Sequence, residues 1–431
     1  MAEDNQYFNH TDNMPKGNQT APDKSANKLP FVIGLFVGIL LTVAVGGVYV
    51  SGVKAQQMID SKKETQTVSN GKVADSATIA KINALESTID KYFYLDRVDN
   101  EDLREGIFKG MMDALNDPYT EYYTEDELNE MMDGTEGIYY GIGAYVSLDS
   151  ITGLPKVSGI IANSPAEEAD LRPEDIIYEV NGESTQGLTL TETVKLIKGP
   201  EGTPVELKLI RDGEHDYLEV TLIRRKVESP TVEFEMKEDG IAYIQVTEFD
   251  DVTEDQFAEA LAMAKGSDAK GIILDLRGNP GGNLSTVVAM CRMILPEGMI
   301  VYTIDKNEKR TEYKCDGKRQ LDLPLVVLID GNSASAAEIM SGAIKDHGIG
   351  TLVGTTTFGK GIVQQIVPFR DGSAVKITIS AYYTPSGKNI HGIGIEPDVE
   401  CKFDSEAYYD TEDHYDNQLE KAKEVLLEKI K

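Results

Sequence analysis

Tryptophan is absent from this 431-residue chain, and histidine and cysteine are scarce, at five and three. The histidines are scattered and form no HExxH pair, so a zinc hydrolase has no ligand set to draw on. A Ser-His-Asp triad would have to recruit His215, His347 or His391, and His347 in Lys345-Asp-His-Gly-Ile reads as a cap at a helix C-terminus. Cys291, Cys315 and Cys401 are an odd number without CxxC spacing, which suggests neither a disulfide scaffold nor a thiolate metal site. Cys291 sits in an apolar helical run, as a buried small hydrophobe does. Positive charge is short as well. The 42 Lys and Arg against 73 Asp and Glu leave a net charge of -31, which argues against nucleic acid as a partner. No metal and no cofactor is expected.

Charge is missing altogether from Leu29 to Gly52, between Lys28 and Lys54. The apolar stretch Phe31–Val50 is 20 residues long, enough as a helix to cross about 30 Å of hydrocarbon. It is longer than the apolar part of a signal peptide, about 7–15 residues, and Val48-Tyr-Val-Ser-Gly52 is a poor cleavage site. An uncleaved single-pass anchor is expected, with residues 1–28 as a disordered cytoplasmic head and 53–75 as a polar stalk. The large domain that follows then lies outside the cytoplasm. Residues 76–133 read as helical, from the spacings Ile79, Ile82, Leu85, Ile89 and Leu103, Ile107, Met111, Leu115. Residues 134–225 form a small, mostly β module, and 226–403 alternate strand and helix in α/β order. Residues 404–431 are an acidic tail whose last helix, with Leu419, Ala422, Leu426 and Ile430 on one side, packs on the body or on a sister subunit.

Within the β module, Tyr139-Tyr-Gly-Ile-Gly-Ala144 carries two glycines before a strand. Backbone N–H groups of such a turn can hold a carboxylate while the strand edge accepts an extended peptide. Read with Ser164-Pro-Ala, Asp170-Leu, Glu174-Asp-Ile-Ile and Val180-Asn-Gly182, the segment resembles a PDZ domain of the kind found in bacterial proteases. The resemblance implies docking of an apolar C-terminal peptide at Tyr140, Gly141, Ile142, Gly143 and Ala144. Asp170 and Glu174 stand where such domains more often have glycine, which alters turns and leaves the fold intact.

Three segments of the α/β part carry chemistry. Gly331-Asn-Ser-Ala-Ser-Ala-Ala-Glu338 joins a buried strand to a helix, where Ser335 meets the unpaired N–H groups and the positive helix end. The Ala336 N–H then points where an oxyanion would form. Ser333 and Ser335 also read simply as helix caps. Gly354-Thr-Thr-Thr-Phe-Gly-Lys-Gly361 isolates Lys360 from partners for its charge. At pH 7.5 a free lysine is neutral about once in a thousand, a penalty of about 4 kcal/mol that burial beside Phe358 would reduce. Gln364 could hold the amine in line; a surface cation is the plainer reading of Lys360. Asp275-Leu-Arg-Gly-Asn-Pro-Gly-Gly282 ends a buried strand, with Arg277 and Asn279 able to organise the turn.

Together these segments resemble the carboxyl-terminal processing peptidases, the tail-specific serine proteases of family S41, from about Ser76 to the closing Asp416-Asn-Gln-Leu-Glu-Lys-Ala. The resemblance implies that Ser335, not Ser333, is the nucleophile, Lys360 the base and Gln364 its partner. It also implies oxyanion donors at Ala336 and at the glycine pair, there at Gly281. The implied fold is multidomain α+β: an α/β core of the crotonase-like ββα superhelix type, an inserted PDZ-like β module and N-terminal helices. The expected function is a membrane-anchored serine endopeptidase that cleaves protein substrates near accessible apolar C-terminal tails, gated by the PDZ-like module, in a chain that forms a homodimer. A catalytically inactive, membrane-tethered peptide-binding scaffold is the alternative, and an acyl-CoA hydratase is disfavoured by the anchor and the β module.

Overall fold

The computed structural model describes residues 72–95, 99–409 and 414–430. The head, the apolar span and all but the last residues of the stalk lie outside the described residues. Among the described residues no helix is long and apolar enough to cross a membrane. The chain divides into two units, residues 1–97 and 98–431. In the first, the helix Ser76–Tyr92 starts at Asp75, whose carboxylate accepts the Thr78 N–H at 2.8 Å.

At the centre of the second unit is a six-stranded sheet. Its order is Val232–Lys237, Ile241–Val246, Gly271–Asp275, Leu325–Ile329, Gly350–Gly354 and Val399–Glu400. The first pair is antiparallel and the others are parallel. Gly271–Asp275 and Leu325–Ile329 are buried at every residue, as apolar strands in a sheet covered on both faces must be, with Asp275 the one charged residue among them. Strand alternation divides their side chains between two layers. Ile272, Leu274, Leu325 and Val327 join a core with Phe257, Val287, Met340 and Ile344 of the helices Thr253–Gly266, Leu284–Cys291 and Ala336–His347. Ile273, Val326 and Leu328 meet Ala422 and Leu426 of the C-terminal helix Asn417–Ile430, which therefore packs on the body.

A second, antiparallel sheet is built from Glu121–Tyr123, Ala374–Tyr383, Gly298–Asp305 and Arg310–Cys315, with Ile362–Pro368 also paired to Ala374–Tyr383. The expected crotonase-like ββα superhelix is corrected by this arrangement. A superhelix repeats one ββα turn, whereas here the parallel strands share a single sheet and the antiparallel strands form another. That second sheet recruits Glu121–Tyr123 from the stretch 76–133, which the sequence pattern reads as helical with a break from Asn116-Asp-Pro118 to Glu125. The helical spacing is local, and the partner strand is far away in sequence.

The β module has its own core, with Val157, Ile177, Val180, Val205, Leu207 and Leu209 closed by Ile197 of the helix Leu190–Ile197. Buried Arg224 donates to the carbonyls of Leu196, Ile197 and Pro204 and so closes that helix C-terminus. Asp170 and Glu174 take φ of 54° and 77°, the left-handed turns for which glycine is the easy residue. The module is joined to the body by an antiparallel ribbon, Ile138–Gly141 with Arg225–Glu228.

At the base of this ribbon the buried Asp250 lies so close to Gly137 that a Cβ there would stand 3.0 Å from its own. Burial, with Glu248 and Asp251 adding like charge, pushes the Asp250 carboxyl up to about 7. The native state then keeps a proton that the unfolded chain releases near pH 4, so this group makes stability fall as pH rises from about 4 to about 7. Urea unfolding across that range should show Asp250→Asn gaining on the wild type as pH rises and exceeding it at pH 8. Parallel curves would assign Asp250 an ordinary carboxyl.

Candidate active site

The strand Leu325–Ile329 ends in a turn organised by Asp330 and Ser333. The Ser333 hydroxyl donates to Leu276 O at 2.8 Å and accepts the Asp330 N–H at 2.9 Å, and the residue is fully buried. Its oxygen is occupied with the turn. Ser335 caps the helix Ala336–His347 with φ 53° and ψ -111°, a conformation rare for a residue with a Cβ and costing on the order of 1–3 kcal/mol. It faces a cleft of about 360 Å³ that Gly282, Ala336, Lys360, Gln364 and Lys376 also line.

What holds Ser335 in that conformation is Glu338, one turn into the helix and fully buried. Its Oε2 accepts the backbone N–H of Ser335 at 2.9 Å and of Lys360 at 2.8 Å. Its Oε1 accepts the Gly359 N–H at 2.7 Å and the Thr357 hydroxyl at 2.6 Å. One carboxylate, with its four acceptor positions used, thus binds the serine turn to the lysine loop. Tyr382 adds a further tie, its phenol donating to Ser335 O at 3.1 Å.

Lys360 sits in the same cleft, its ammonium 4.5 Å from the centre of the Tyr119 ring. No hydrogen bond joins it to the Ser335 hydroxyl among the described residues. Burial pushes Lys360 below the ordinary lysine range, and the charge of Lys376 adds to this, while Asp117, Glu121 and Glu338 oppose it. Gln364 follows a register shift in Ile362–Pro368 and lines the cleft. Its amide donates to the Thr378 hydroxyl at 3.0 Å and not to a lysine amine. Gly281, at φ 109°, abuts the Ser335 turn so closely that a Cβ would lie 2.7 Å from the Ser335 Cβ. Its own N–H, however, is given to Asn279 Oδ1 at 2.8 Å, and Gly282 is the glycine that lines the cleft. Asn279 is held in turn by donating to Val246 O at 2.8 Å. Arg277 serves the frame: it pairs with Asp275 at 2.6 Å and with Asp416 at 2.8 Å, tying the C-terminal helix to the end of the central strand.

In the β module a second groove, about 270 Å³, runs between the strand Ala144–Leu148 and the helix Leu190–Ile197. Gly141, Ile142, Gly143 and Ala144 line it, with Val194, Ile197 and Lys198 opposite. Tyr140 is exposed and outside this lining.

Comparison with known proteins is decisive at this point. Residues 240–401 match the family model "Peptidase family S41", 156–211 the model "PDZ domain" and 41–127 the model "Activating protease CtpB N-terminal domain". The carboxy-terminal processing protease CtpA of Bacillus subtilis is 34% identical over 369 residues, covering 85% of this chain and 77% of that protein. CtpB of the same organism is 34% identical over 362 residues, covering 83% and 74%. Among solved structures, a photosystem II D1 C-terminal processing protease aligns with a TM-score of 0.44 and 29% identity, over 74% of this chain and 86% of that one. The chain belongs to peptidase family S41.

It is a serine-type carboxy-terminal processing peptidase with an associated PDZ domain, and its core is the S41 peptidase fold with that domain inserted, in place of the crotonase-like superhelix. Sequence reasoning overlooked Glu338 in this S41 core, although Ser335-Ala-Ala-Glu338 has the Ser-x-x-Glu form of a capping box. It also overlooked Asp117, Tyr119, Glu121 and Lys376, for which no local pattern existed. The Glu338→Gln variant leaves donors facing an amide that cannot accept them all. It should cost about 3–5 kcal/mol of stability and, by loosening the serine turn, about 100-fold or more in kcat/KM. Thermal unfolding and peptide-cleavage kinetics measure the two effects, and a variant with wild-type values in both would refute this role.

Proposed function

We propose that this S41 peptidase is a membrane-anchored endopeptidase in which Ser335 attacks the scissile carbonyl and Lys360 takes its proton. The observation that carries the reading is the shared carboxylate: Glu338 binds the backbone of both Ser335 and Lys360 and so fixes them on one cleft. Lys360 leaves the face of Tyr119 to reach the serine hydroxyl, and Gln364 then lies beside its path. The N–H groups of Ala336 and Gly282 receive the oxyanion, since that of Gly281 is held by Asn279, and water releases the acyl-enzyme. An apolar C-terminal tail adds to the edge of Ala144–Leu148, its carboxylate at the turn of Gly141, Ile142 and Gly143, with Tyr140 at the rim.

In this reading residues 29–52 cross the membrane and place the peptidase outside the cytoplasm, and two chains associate through their helical N-terminal parts. Membrane fractionation of the full chain against one lacking residues 1–52 tests the anchor, and light scattering of each tests the dimer. Ser335→Ala and Lys360→Ala should each lower kcat/KM for an unfolded, apolar-tailed substrate by on the order of 10⁴-fold with circular dichroism unchanged. Retained activity in both variants would rule out the dyad. Because burial disfavours the ammonium, the neutral base becomes available below the ordinary lysine pKa of about 10.4. The kcat/KM of the wild type should accordingly climb with pH and level off once Lys360 has lost its proton; a profile flat from pH 6 to 10 would exclude a lysine base.

A further inference from the structure

Lys376 lines the same cleft as Lys360, and it is braced by a part of the chain remote from both catalytic segments. The short strand Glu121–Tyr123 pairs with Ala374–Tyr383 so that Glu121 stands opposite Lys376. Lys376 lines the cleft together with Ser335 and Lys360 and is itself held in place. Its ammonium lies 3.3 Å from Glu121 Oε2 and 3.3 Å from the Tyr123 phenol oxygen, and that phenol also donates to Glu121. Two lysines therefore share one cleft, and the second is clamped by an acid and a phenol while the first has an aromatic face for company.

We propose that Lys376 is a positioning residue of the active site, a fixed ammonium that discourages a second positive charge on Lys360 and so favours the neutral base. This rests on the reading of Lys360 as the base. The physics is that of like charges lining one partly desolvated cleft, where the clamp on Lys376 keeps its charge from moving away. The remaining groups around Lys360 set the balance against which Lys376 works. Asp117 and Tyr119 approach from the turn before Glu121–Tyr123, and Glu121 from that strand. Glu338 accepts the backbone N–H of Lys360, and the Tyr382 phenol is spent on Ser335 O. His391 lies behind Gly361, its backbone close enough to forbid a Cβ there. The acids favour a charged Lys360, and Lys376 is the cation that opposes them.

The strand Glu121–Tyr123 thereby becomes part of the catalytic apparatus and not merely an edge of the sheet. Its acid and phenol keep the Lys376 ammonium fixed in the wall, as a tuning charge must be.

The test is the pH dependence of kcat/KM for wild type, Lys360→Ala, Lys376→Met, Lys376→Gln and Lys376→Arg in the otherwise intact chain. The charge-removing variants should move the acid limb to higher pH by about one unit, an about tenfold loss below the limb, while the alkaline plateau is kept. Lys376→Arg should leave the limb where the wild type has it. Two neutral replacements are included so that one that fails to fold does not decide the matter. A limb that stays in place in a folded neutral variant overturns the proposal, as does an effect confined to KM, which would assign Lys376 to substrate contact. Activity retained in Lys360→Ala would instead remove the lysine base itself, and this proposal with it.

Discussion

The buried carboxylate of Glu338 is the constraint on which the rest of the site depends. It accepts from the backbone of Ser335, Gly359 and Lys360 and from the Thr357 hydroxyl, which in turn accepts the Ile395 N–H at 2.7 Å. A charge with 0% exposure is tolerable only when its lone pairs are used, and here each of them is used on a segment that carries chemistry or supports it. The same contacts keep Ser335 at a positive φ that it would leave if released. The strain at the serine and the burial of the acid are one arrangement: each is stable because the other is present.

Around this point the two sheets have different tasks. The parallel sheet, buried on both faces, delivers strand ends: Asp275 leads to the turn with Asn279 and Gly281, and Ile329 leads to the serine turn. Its outer face is closed by the C-terminal helix, locked at one end by Arg277 between Asp275 and Asp416. The antiparallel sheet delivers the opposite wall, with Gln364, Lys376 and Tyr382 along two neighbouring strands. A cleft of this kind needs both, since no single element carries the serine, the lysine and the wall together.

Much of the fold and part of the site were legible in the chain. The apolar runs at Gly271–Asp275 and Leu325–Ile329 specify strands covered on both faces whatever their neighbours. The turn residues Asp170 and Glu174 were legible as departures from glycine, and both take the left-handed conformation. The pairing of Glu121–Tyr123 was not legible: three residues between helices leave no periodic trace, and their partner is far along the chain. The superhelix expectation came from the family resemblance and not from the residues, and the separate parallel and antiparallel sheets overturn it.

By itself the sequence determined the kinds of group available: few histidines without an HExxH pair, three cysteines without CxxC spacing, a serine and a lysine in small-residue turns, and a β module with the PDZ pattern. These are properties of composition and local spacing, which no later packing can change. Tertiary structure alone decided that Ser333 is occupied in a turn while Ser335 faces the cleft, and that Lys360 rests on Tyr119 with Lys376 beside it. The choice of Glu338 as the common anchor was also tertiary. Such facts depend on distances between residues far apart in the chain, and burial sets the strength of every charge among them.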